Sequence, residues 1–464
     1  MNKALIAKLG WRVLNDKESL WARVLRCKYK VGGGGVQDRS WLSVKSNWSS
    51  TWRSVGTGLR DVVNHGLSWV LGDGQQVCFW TDKWLLGKPL LDSVVGPLPE
   101  NYEKVKAAEM WVNGSGWVLD RILPHVSANT RLDLAAVVLD NVTGARDCIS
   151  WGECSDGKFS VKSAYELITR DHTSRPNMDS FYRRVWSLSV PERVRVYFWL
   201  LGNQAVMSNE ERMRRHLCDS DICQGCKSRT SRGQRCLLWQ FGGDGSGDAG
   251  MCFGENGKCR DRVRFIKDLS KEVAVANVAS GSKASRTGRV ERRIGLVKPQ
   301  SGWVKLNTDG ASRGNPGLAT TGGVLRDEAG EYCGGFAVNI GKCTAPLAEL
   351  WGVYYGLYIA WEKQITQVEL EVDSELVVGF LKTGIDDSHP LSFLVRLCHG
   401  FIAKDWTVRV SHVYREANRL ADGLANYAFT LPLGFHALSV VPIDFASIVR
   451  EDALGFTQPR QILL

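Results

Sequence analysis

Residues 303–317 read WVKLNTDGASRGNPG, and this stretch is the most informative about how the C-terminal part of the chain folds. Its first half alternates apolar and polar residues, which is typical of a strand with one buried face. Its second half contains Gly314, Asn315 and Pro316, which predict a tight turn. The stretch therefore predicts a strand with Asp309 at its C-terminal end, before a glycine turn.

The residues that follow predict alternating strands and helices. Further strands are expected at 324–326, 335–338, 368–373 and 407–413, and helices at 344–361, 374–382, 390–402 and 415–429. Thr344 suits the N-cap of the first of these helices, since the proline two residues later is tolerated in a first turn. We therefore predict a five-stranded mixed sheet covered by helices, an α/β fold.

Four acidic residues fall where such a sheet can bring them together. Asp309 and Asp373 end the first and fourth strands, which we expect to be neighbours, and Glu349 and Asp422 lie on helices that pack on the sheet. Crowded carboxylates repel one another and are costly to bury unless cations neutralise them. Oxygen ligands suit Mg²⁺ or Mn²⁺, and two such ions can support phosphodiester cleavage. Each acid alone could be a helix cap or a solvated group, but their joint order favours a metal site.

Four segments in this region resemble the signatures of the type 1 ribonuclease H family. They are residues 308–317 (TDGASRGNPG), 348–350 (AEL), 371–374 (EVDS) and 418–425 (NRLADGLA). The resemblance implies a ribonuclease H-like fold and endonucleolytic hydrolysis of the RNA strand of RNA–DNA hybrids. It also implies two Mg²⁺ or Mn²⁺ ions held by Asp309, Glu349, Asp373 and Asp422, with Asp309 bridging them.

The same resemblance assigns further residues to the substrate. Gly314 and Asn315 would lie near the ribose of the RNA strand, where a 2′-hydroxyl distinguishes RNA from DNA. Many family members have a histidine loop before the last helix, which is thought to aid product release. Here that link is short and has no histidine, so Arg415 is the candidate to assist, and His412 is a weaker one because it falls within a strand pattern.

The N-terminal two thirds resemble the region that follows the polymerase in plant LINE-type, non-LTR retrotransposon proteins. A helix or helix pair is expected at residues 3–30, a hairpin at 72–74 and a helix N-cap near Ser160 or Ser163, in a mainly helical, tryptophan-rich region. The tryptophans are more typical of core anchors than of base-stacking platforms. No paired-aspartate polymerase motif occurs, so we predict no DNA synthesis.

A zinc-binding segment is also part of that resemblance. Cys223 and Cys226 have the C-x₂-C spacing of zinc ligands, but a tetrahedral site needs two more. No histidine lies between His216 and His389, so the second half of the site looks lost. The two cysteines are therefore candidates for a weak zinc site in a degenerate module.

Composition sets the wider expectations. The chain of 464 residues carries a net charge of +10, which favours a polyanionic partner, and 13 cysteines without a disulfide framework. No secretory signal or membrane span is evident. We therefore expect a soluble, intracellular, monomeric protein whose partner is an RNA–DNA hybrid and which has no small-molecule cofactor; nucleus and cytoplasm both remain open.

The expected domains follow from these patterns. They are a retroelement-derived helical and hairpin region (1–100), a reverse-transcriptase zinc-binding-like region (101–236), a Gly/Ser-rich and basic linker (237–300), the ribonuclease H domain (301–432) and a tail (433–464). On this division, residues 295–435 should cleave hybrid on their own.

Two alternative enzymes with this fold have a different order of acidic residues, and a third alternative differs in its catalytic turnover. Integrase-type sites run Asp, Asp, Glu, and exonuclease sites usually begin Asp-x-Glu, whereas here Glu349 is second in order and Asp309 precedes a glycine. A catalytically weak, hybrid-binding remnant of a retrotransposon is the remaining alternative.

Overall fold

The computed structural model describes most of the chain outside its middle. The described residues are 2–16, 18–31, 45–113, 115–140, 142–170, 176–187, 192–202, 213, 216–217, 219–220 and 289–463. Two compact units divide the chain: Met1–Arg170 together with Arg289–Leu464, and Asp171–Gly288. Cys223 and Cys226 lie outside the described residues, so the zinc prediction stays a prediction.

Helices and strands are numbered along the chain. The helices are α1 (Asn2–Asn15), α2 (Leu20–Tyr29), α3 (Ser50–Gly58), α4 (Asn64–Gly66), α5 (Leu119–Ile122), α6 (Ala128–Ala135), α7 (Val161–Thr169), α8 (Pro176–Ser187), α9 (Glu192–Gly202), α10 (Ala345–Glu362), α11 (Glu375–Thr383), α12 (Ser392–Ile402), α13 (Arg419–Tyr427) and α14 (Ala446–Ala453). The strands are β1 (Leu67–Val70), β2 (Trp111–Val112), β3 (Gly116–Trp117), β4 (Cys148–Trp151), β5 (Arg289–Ile294), β6 (Val304–Gly314), β7 (Gly317–Arg326), β8 (Tyr332–Cys343), β9 (Gln367–Val372), β10 (Thr407–His412), β11 (Gly434–Leu438) and β12 (Gln458–Leu463). Helices α8 and α9 belong to the second unit. None of the helices in the described ranges is long and apolar enough to cross a membrane.

A mixed sheet forms the centre of the C-terminal part, with strand order β10-β9-β6-β7-β8-β11. Strands β10, β9 and β6 run parallel, and β6, β7, β8 and β11 pair antiparallel. The expected α/β class and the expected pairing of the first and fourth strands are both found. The expected count of five strands is one too low, because β11 pairs with β8. Strand β11 is short and half-exposed, so it lacks the strong alternation that marks a buried strand.

Helices cover both faces of the sheet. Helix α10 packs against β6 so closely that a side chain on Gly356 would collide with Leu306. On the opposite face α13 approaches β7, where a side chain on Gly322 would meet the backbone of Leu424 and Ala425. Small residues at these crossings allow the helices to lie flat on the strands, which sets the height of the helical side chains above the sheet.

The N-terminal region contains a separate aromatic core. Trp80 and Trp151 are fully buried, and Trp11 stacks on Phe159 with ring centroids 5.7 Å apart. The predicted hairpin at 72–74 is wrong, because β1 pairs instead with β4, which lies far along the sequence. The glycine-rich turn is held by the buried carboxylate of Asp147, which accepts four backbone N–H groups from Gly72, Gly74, Gln76 and Val77.

This N-terminal region packs directly on the C-terminal sheet and helices within the first unit. The indole of Trp351 on α10 donates to the Ala136 carbonyl at 3.1 Å. Arg396 on α12 pairs with the fully buried Asp140, with Nε 3.1 Å from Oδ2. Part of the core of the sheet is therefore closed by residues that precede it by more than 150 positions.

The ends of the predicted ribonuclease H region are also structured. Strand β5, in the stretch expected to be a linker, pairs antiparallel with β12, in the stretch expected to be a tail. Helix α14 contributes Asp452, whose buried carboxylate contacts Arg326 on β7 at 2.7 Å. These C-terminal elements therefore contact the sheet at positions that local patterns did not indicate.

A candidate metal centre of carboxylates

Asp309 and Asp373 come together because their strands run parallel. The register pairs Thr308 on β6 with Val372, the last residue of β9, so the two aspartates that follow are side by side. Asp373 follows the end of its strand, as predicted. Asp309 does not, because β6 continues through Asp309 to Gly314 while pairing with β7. Asp309 therefore lies between β7 and β9, and the residue is only 2% exposed.

Glu349 reaches the same place from helix α10. Gly310 permits this, because a side chain there would lie 2.3 Å from the backbone nitrogen of Glu349. Thr321 fixes the adjoining backbone by donating its hydroxyl to the Asp309 carbonyl at 2.5 Å. The Asp-Gly pair thus carries one carboxylate and makes room for the helix that brings another.

The three carboxylates of Asp309, Glu349 and Asp373 form a tight group. One oxygen from each lies within 4.8 Å of the others. One buried oxygen of each residue accepts no hydrogen bond from any group in the described part of the chain: Asp309 Oδ1, Glu349 Oε2 and Asp373 Oδ1. Buried polar atoms are normally paired, so three convergent unpaired oxygens are unusual.

Burial and mutual repulsion change the acidity of the group. The pKa of Asp309 is raised, first by burial and then by the neighbouring carboxylates of Glu349, Asp373 and Asp422. Burial also raises the pKa of Glu349, and Asp373 adds to the shift. Metal-free, this cluster favours taking up protons.

A hard divalent cation fits this donor set. Mg²⁺ and Mn²⁺ bind carboxylate oxygens, and their charge would satisfy the three unpaired oxygens and reverse the repulsion that raises the pKa values. Asp309, Glu349 and Asp373 are the residues that could hold such an ion.

Asp422 adds a fourth carboxylate at the exposed side of the group. It lies in the first turn of α13, and it helps to raise the pKa of Asp309. Asn426 donates to Asp422 Oδ1 at 3.3 Å. Asp422 is therefore near the buried three, but it is solvent-exposed, unlike Asp309.

Asn418 anchors the start of that helix and was not singled out from the sequence. The buried side-chain amide of Asn418 donates to the Thr308 carbonyl at 3.0 Å. The backbone carbonyl of Asn418 accepts the backbone N–H of Asp422 at 3.1 Å. The Asn418 side chain makes no capping hydrogen bond to α13, so the only signal in the sequence was its place in the stretch 418–425.

Arg415 lies against the cluster. Its Nε donates to Asp373 Oδ2 at 3.2 Å, and its side chain is 77% exposed. His412 ends β10 and its Nε2 lies 3.2 Å from the Asp373 carbonyl, a backbone contact. Arg415, and not His412, thus reaches a carboxylate of the group.

Gly314 is the last residue of β6, and Asn315 and Pro316 form the exposed turn to β7. Gly314 has a φ of 112°, which favours glycine. The side-chain oxygen of Asn315 accepts the backbone N–H of Ala345 at 3.2 Å, which ties the turn to the start of α10. Helix α10 therefore carries Glu349 and also holds the turn through this hydrogen bond.

Comparison with known proteins places this domain in a class. A family model described as reverse transcriptase-like matches residues 307–428, and a second, described as zinc-binding in reverse transcriptase, matches residues 159–238. The first match spans the carboxylate cluster.

Full-length relatives then give the family. The chain is 54% identical to the "Putative ribonuclease H protein At1g65750" of Arabidopsis thaliana, over 100% of this chain and 83% of the relative. It is 33% identical to ribonuclease HI of Halobacterium salinarum, over 39% of this chain and 90% of the relative. The crystal structure of RNase H1 from Halobacterium salinarum matches with 35% identity and a TM-score of 0.25, covering 28% of this chain and 98% of that chain. The chain belongs to the ribonuclease H protein family.

Proposed function

We propose that this protein hydrolyses the RNA strand of RNA–DNA hybrids endonucleolytically, at a site that takes two divalent metal ions. The observation that carries the proposal is the convergence of Asp309, Glu349 and Asp373, each with a buried oxygen unpaired within the described residues. Membership of the ribonuclease H family supports the nuclease assignment.

The metal ions, when bound, would supply Lewis-acid activation of water and stabilisation of the leaving oxygen. We assign Asp309 the central position, since it is buried and the charges of the other three acids all raise its pKa. Glu349 and Asp373 would complete one side of the metal centre, and the exposed Asp422 the solvent side.

Arg415 is assigned an orienting role. Its hydrogen bond goes to Asp373 Oδ2, while the buried Asp373 Oδ1 has no hydrogen-bond partner among the described residues and is available to a cation. The exposed guanidinium is also a group that could contact a phosphate, as arginine does in nucleic-acid complexes.

Asn315 and Gly314 are proposed to meet the ribose of the RNA strand. Both lie at an exposed turn, and a contact to the 2′-hydroxyl would distinguish RNA from DNA. The product would then carry a 5′-phosphate.

The test is cleavage of a hybrid labelled on its RNA strand. The full chain with Mg²⁺ is expected to produce internal cuts in the RNA strand, and chelation by EDTA or the substitution Asp309→Asn should abolish them. Asp405→Asn, an exposed aspartate between α12 and β10, is the matched control and should cleave like the parent. A folded parent chain that binds hybrid without cutting it would instead favour the catalytically weak remnant.

A further inference from the structure

The segment Tyr414–Asn418 joins the last sheet strand to helix α13 and carries Arg415. It contains a single 3₁₀ turn, Arg415–Ala417, closed by backbone bonds of 2.9 Å from Ala417 to Tyr414 and from Asn418 to Arg415. Such short turns have weak hydrogen-bond geometry and are rarely rigid alone. The position of Arg415 therefore depends on what holds the segment from outside.

One end of the segment is held by the sheet. Asn418 donates to the Thr308 carbonyl at 3.0 Å, on the strand that carries Asp309. The side chains on either side of Arg415, those of Tyr414 and Glu416, both contact strand β12. The guanidinium of Arg460, on the C-terminal strand β12, donates to the two carboxylate oxygens of Glu416 at 3.0 Å and 2.8 Å. The same guanidinium lies 4.4 Å from the centre of the Tyr414 ring.

Both hydrogen bonds come from one guanidinium nitrogen, Nη1 of Arg460. Such charge-assisted hydrogen bonds are stronger than neutral ones, and stacking on an aromatic ring restricts the guanidinium further. Strand β12 is in turn paired along its length with β5. Arg460 therefore connects a paired two-stranded ribbon to the residues immediately before and after Arg415.

We propose that Arg460 is a positioning residue for the nuclease site: it holds the segment Tyr414–Asn418 so that Arg415 stays aligned on Asp373. This inference rests on the proposed function for its catalytic consequence. It places part of the active-site machinery on the strand β12, beyond the residues 307–428 that the family model matches.

The test is a double-mutant cycle in the full chain with Mg²⁺ and labelled hybrid. Arg460→Ala is expected to lower kcat about 5-fold with KM nearly unchanged, because Arg415 no longer holds Asp373 in its aligned position. In the Arg415→Ala background the same substitution should have almost no further effect on kcat, since coupled residues are not additive. Arg460→Lys should recover part of the rate. Gln461→Ala, on the same strand but contacting Glu291, is the control and should leave kcat unchanged.

A second measurement does not depend on activity. Hydrogen exchange of the amides of Ala417 and Asn418 should accelerate roughly 10-fold in Arg460→Ala, because their turn loses its outside support. The milder Glu416→Gln should give a smaller acceleration and a smaller loss of kcat if the alanine variant does not fold.

The results of these experiments distinguish the positioning role of Arg460 from the proposed nuclease function. Unchanged exchange in folded Arg460→Ala, or independent effects of Arg460→Ala and Arg415→Ala on kcat, would overturn the positioning role. Accelerated exchange in a protein whose parent form never cuts hybrid would leave the positioning role standing and reject the proposed function.

Discussion

Replacing Asp309 by asparagine is expected to stabilise the protein when no divalent metal is present. The parent cluster places Asp309 within 4.8 Å of the carboxylates of Glu349 and Asp373. Two unit charges at 4.8 Å repel by about 3.5 kcal/mol at an effective dielectric constant of about 20. Asparagine has nearly the same shape and is uncharged, so it avoids both this repulsion and the proton uptake that would relieve it in the parent.

The pKa shift of Asp309 gives a second way to calculate how much Asp309→Asn should raise the free energy of unfolding. Its folded pKa is raised above the ordinary value of 3.8 by burial and by neighbouring acids. A group with a raised folded pKa stabilises the fold fully only below its unfolded pKa, and that contribution is lost as the pH rises toward the folded pKa. At about 1.4 kcal/mol per pH unit, the loss between pH 3.8 and pH 7 is at most about 4 kcal/mol.

Urea unfolding in EDTA is the assay. Asp309→Asn should have a free energy of unfolding about 2 to 4 kcal/mol above that of the parent at pH 7, and the gain should shrink as the pH falls toward 4. Magnesium at about 100 times its dissociation constant should stabilise the parent by about 2.7 kcal/mol and the variant far less. Asp405→Asn, an exposed control, should change neither quantity. A variant less stable than the parent in EDTA, or equal protection of both by Mg²⁺, would refute the reasoning.

Three further predictions concern the support of the site. Asp147→Ala leaves four backbone N–H groups without their acceptor and should cost about 3 kcal/mol in urea unfolding; a loss below about 1 kcal/mol would mean that the turn is held otherwise. Asp140→Ala breaks the contact to Arg396 and should cost about 2 to 3 kcal/mol, whereas Lys342→Ala, at a half-buried ion pair with Asp133, should cost less than about 1 kcal/mol. Equal losses of unfolding free energy in Asp140→Ala and Lys342→Ala would argue against the contact between the N-terminal region and α12. Residues 295–435 expressed alone lack both that region and β12, so they should unfold at a lower urea concentration than the full chain; an equal midpoint would contradict this.

Local sequence patterns predicted the elements that carry the cluster. Helix α10, which carries Glu349, begins after Thr344 as predicted, and the helix expected at 374–382 is found as α11 (Glu375–Thr383). The adjacency of Asp309 and Asp373 also followed from the expected pairing of their strands, although Asp309 lies within β6 and not at its end. These features depend on residues that are close in sequence or on a general rule of sheet topology.

Long-range pairing was not predictable in the same way. Strand β1 joins β4 across more than 70 residues, and β5 joins β12 across more than 150. No local period specifies a partner, since any short half-buried strand has the same pattern. The contact of Arg460 with Glu416 depends on the second of these pairings. The support around Arg415 was therefore beyond sequence reasoning, although the four acids were not.

The most direct measurement is anomalous scattering from crystals of the full chain soaked in Mn²⁺. An anomalous difference peak between the carboxylates of Asp309, Glu349 and Asp373 is expected, and it should disappear in Asp309→Asn. Crystals that show these three side chains ordered, with no peak between them at Mn²⁺ concentrations that support hybrid cleavage, would contradict the account.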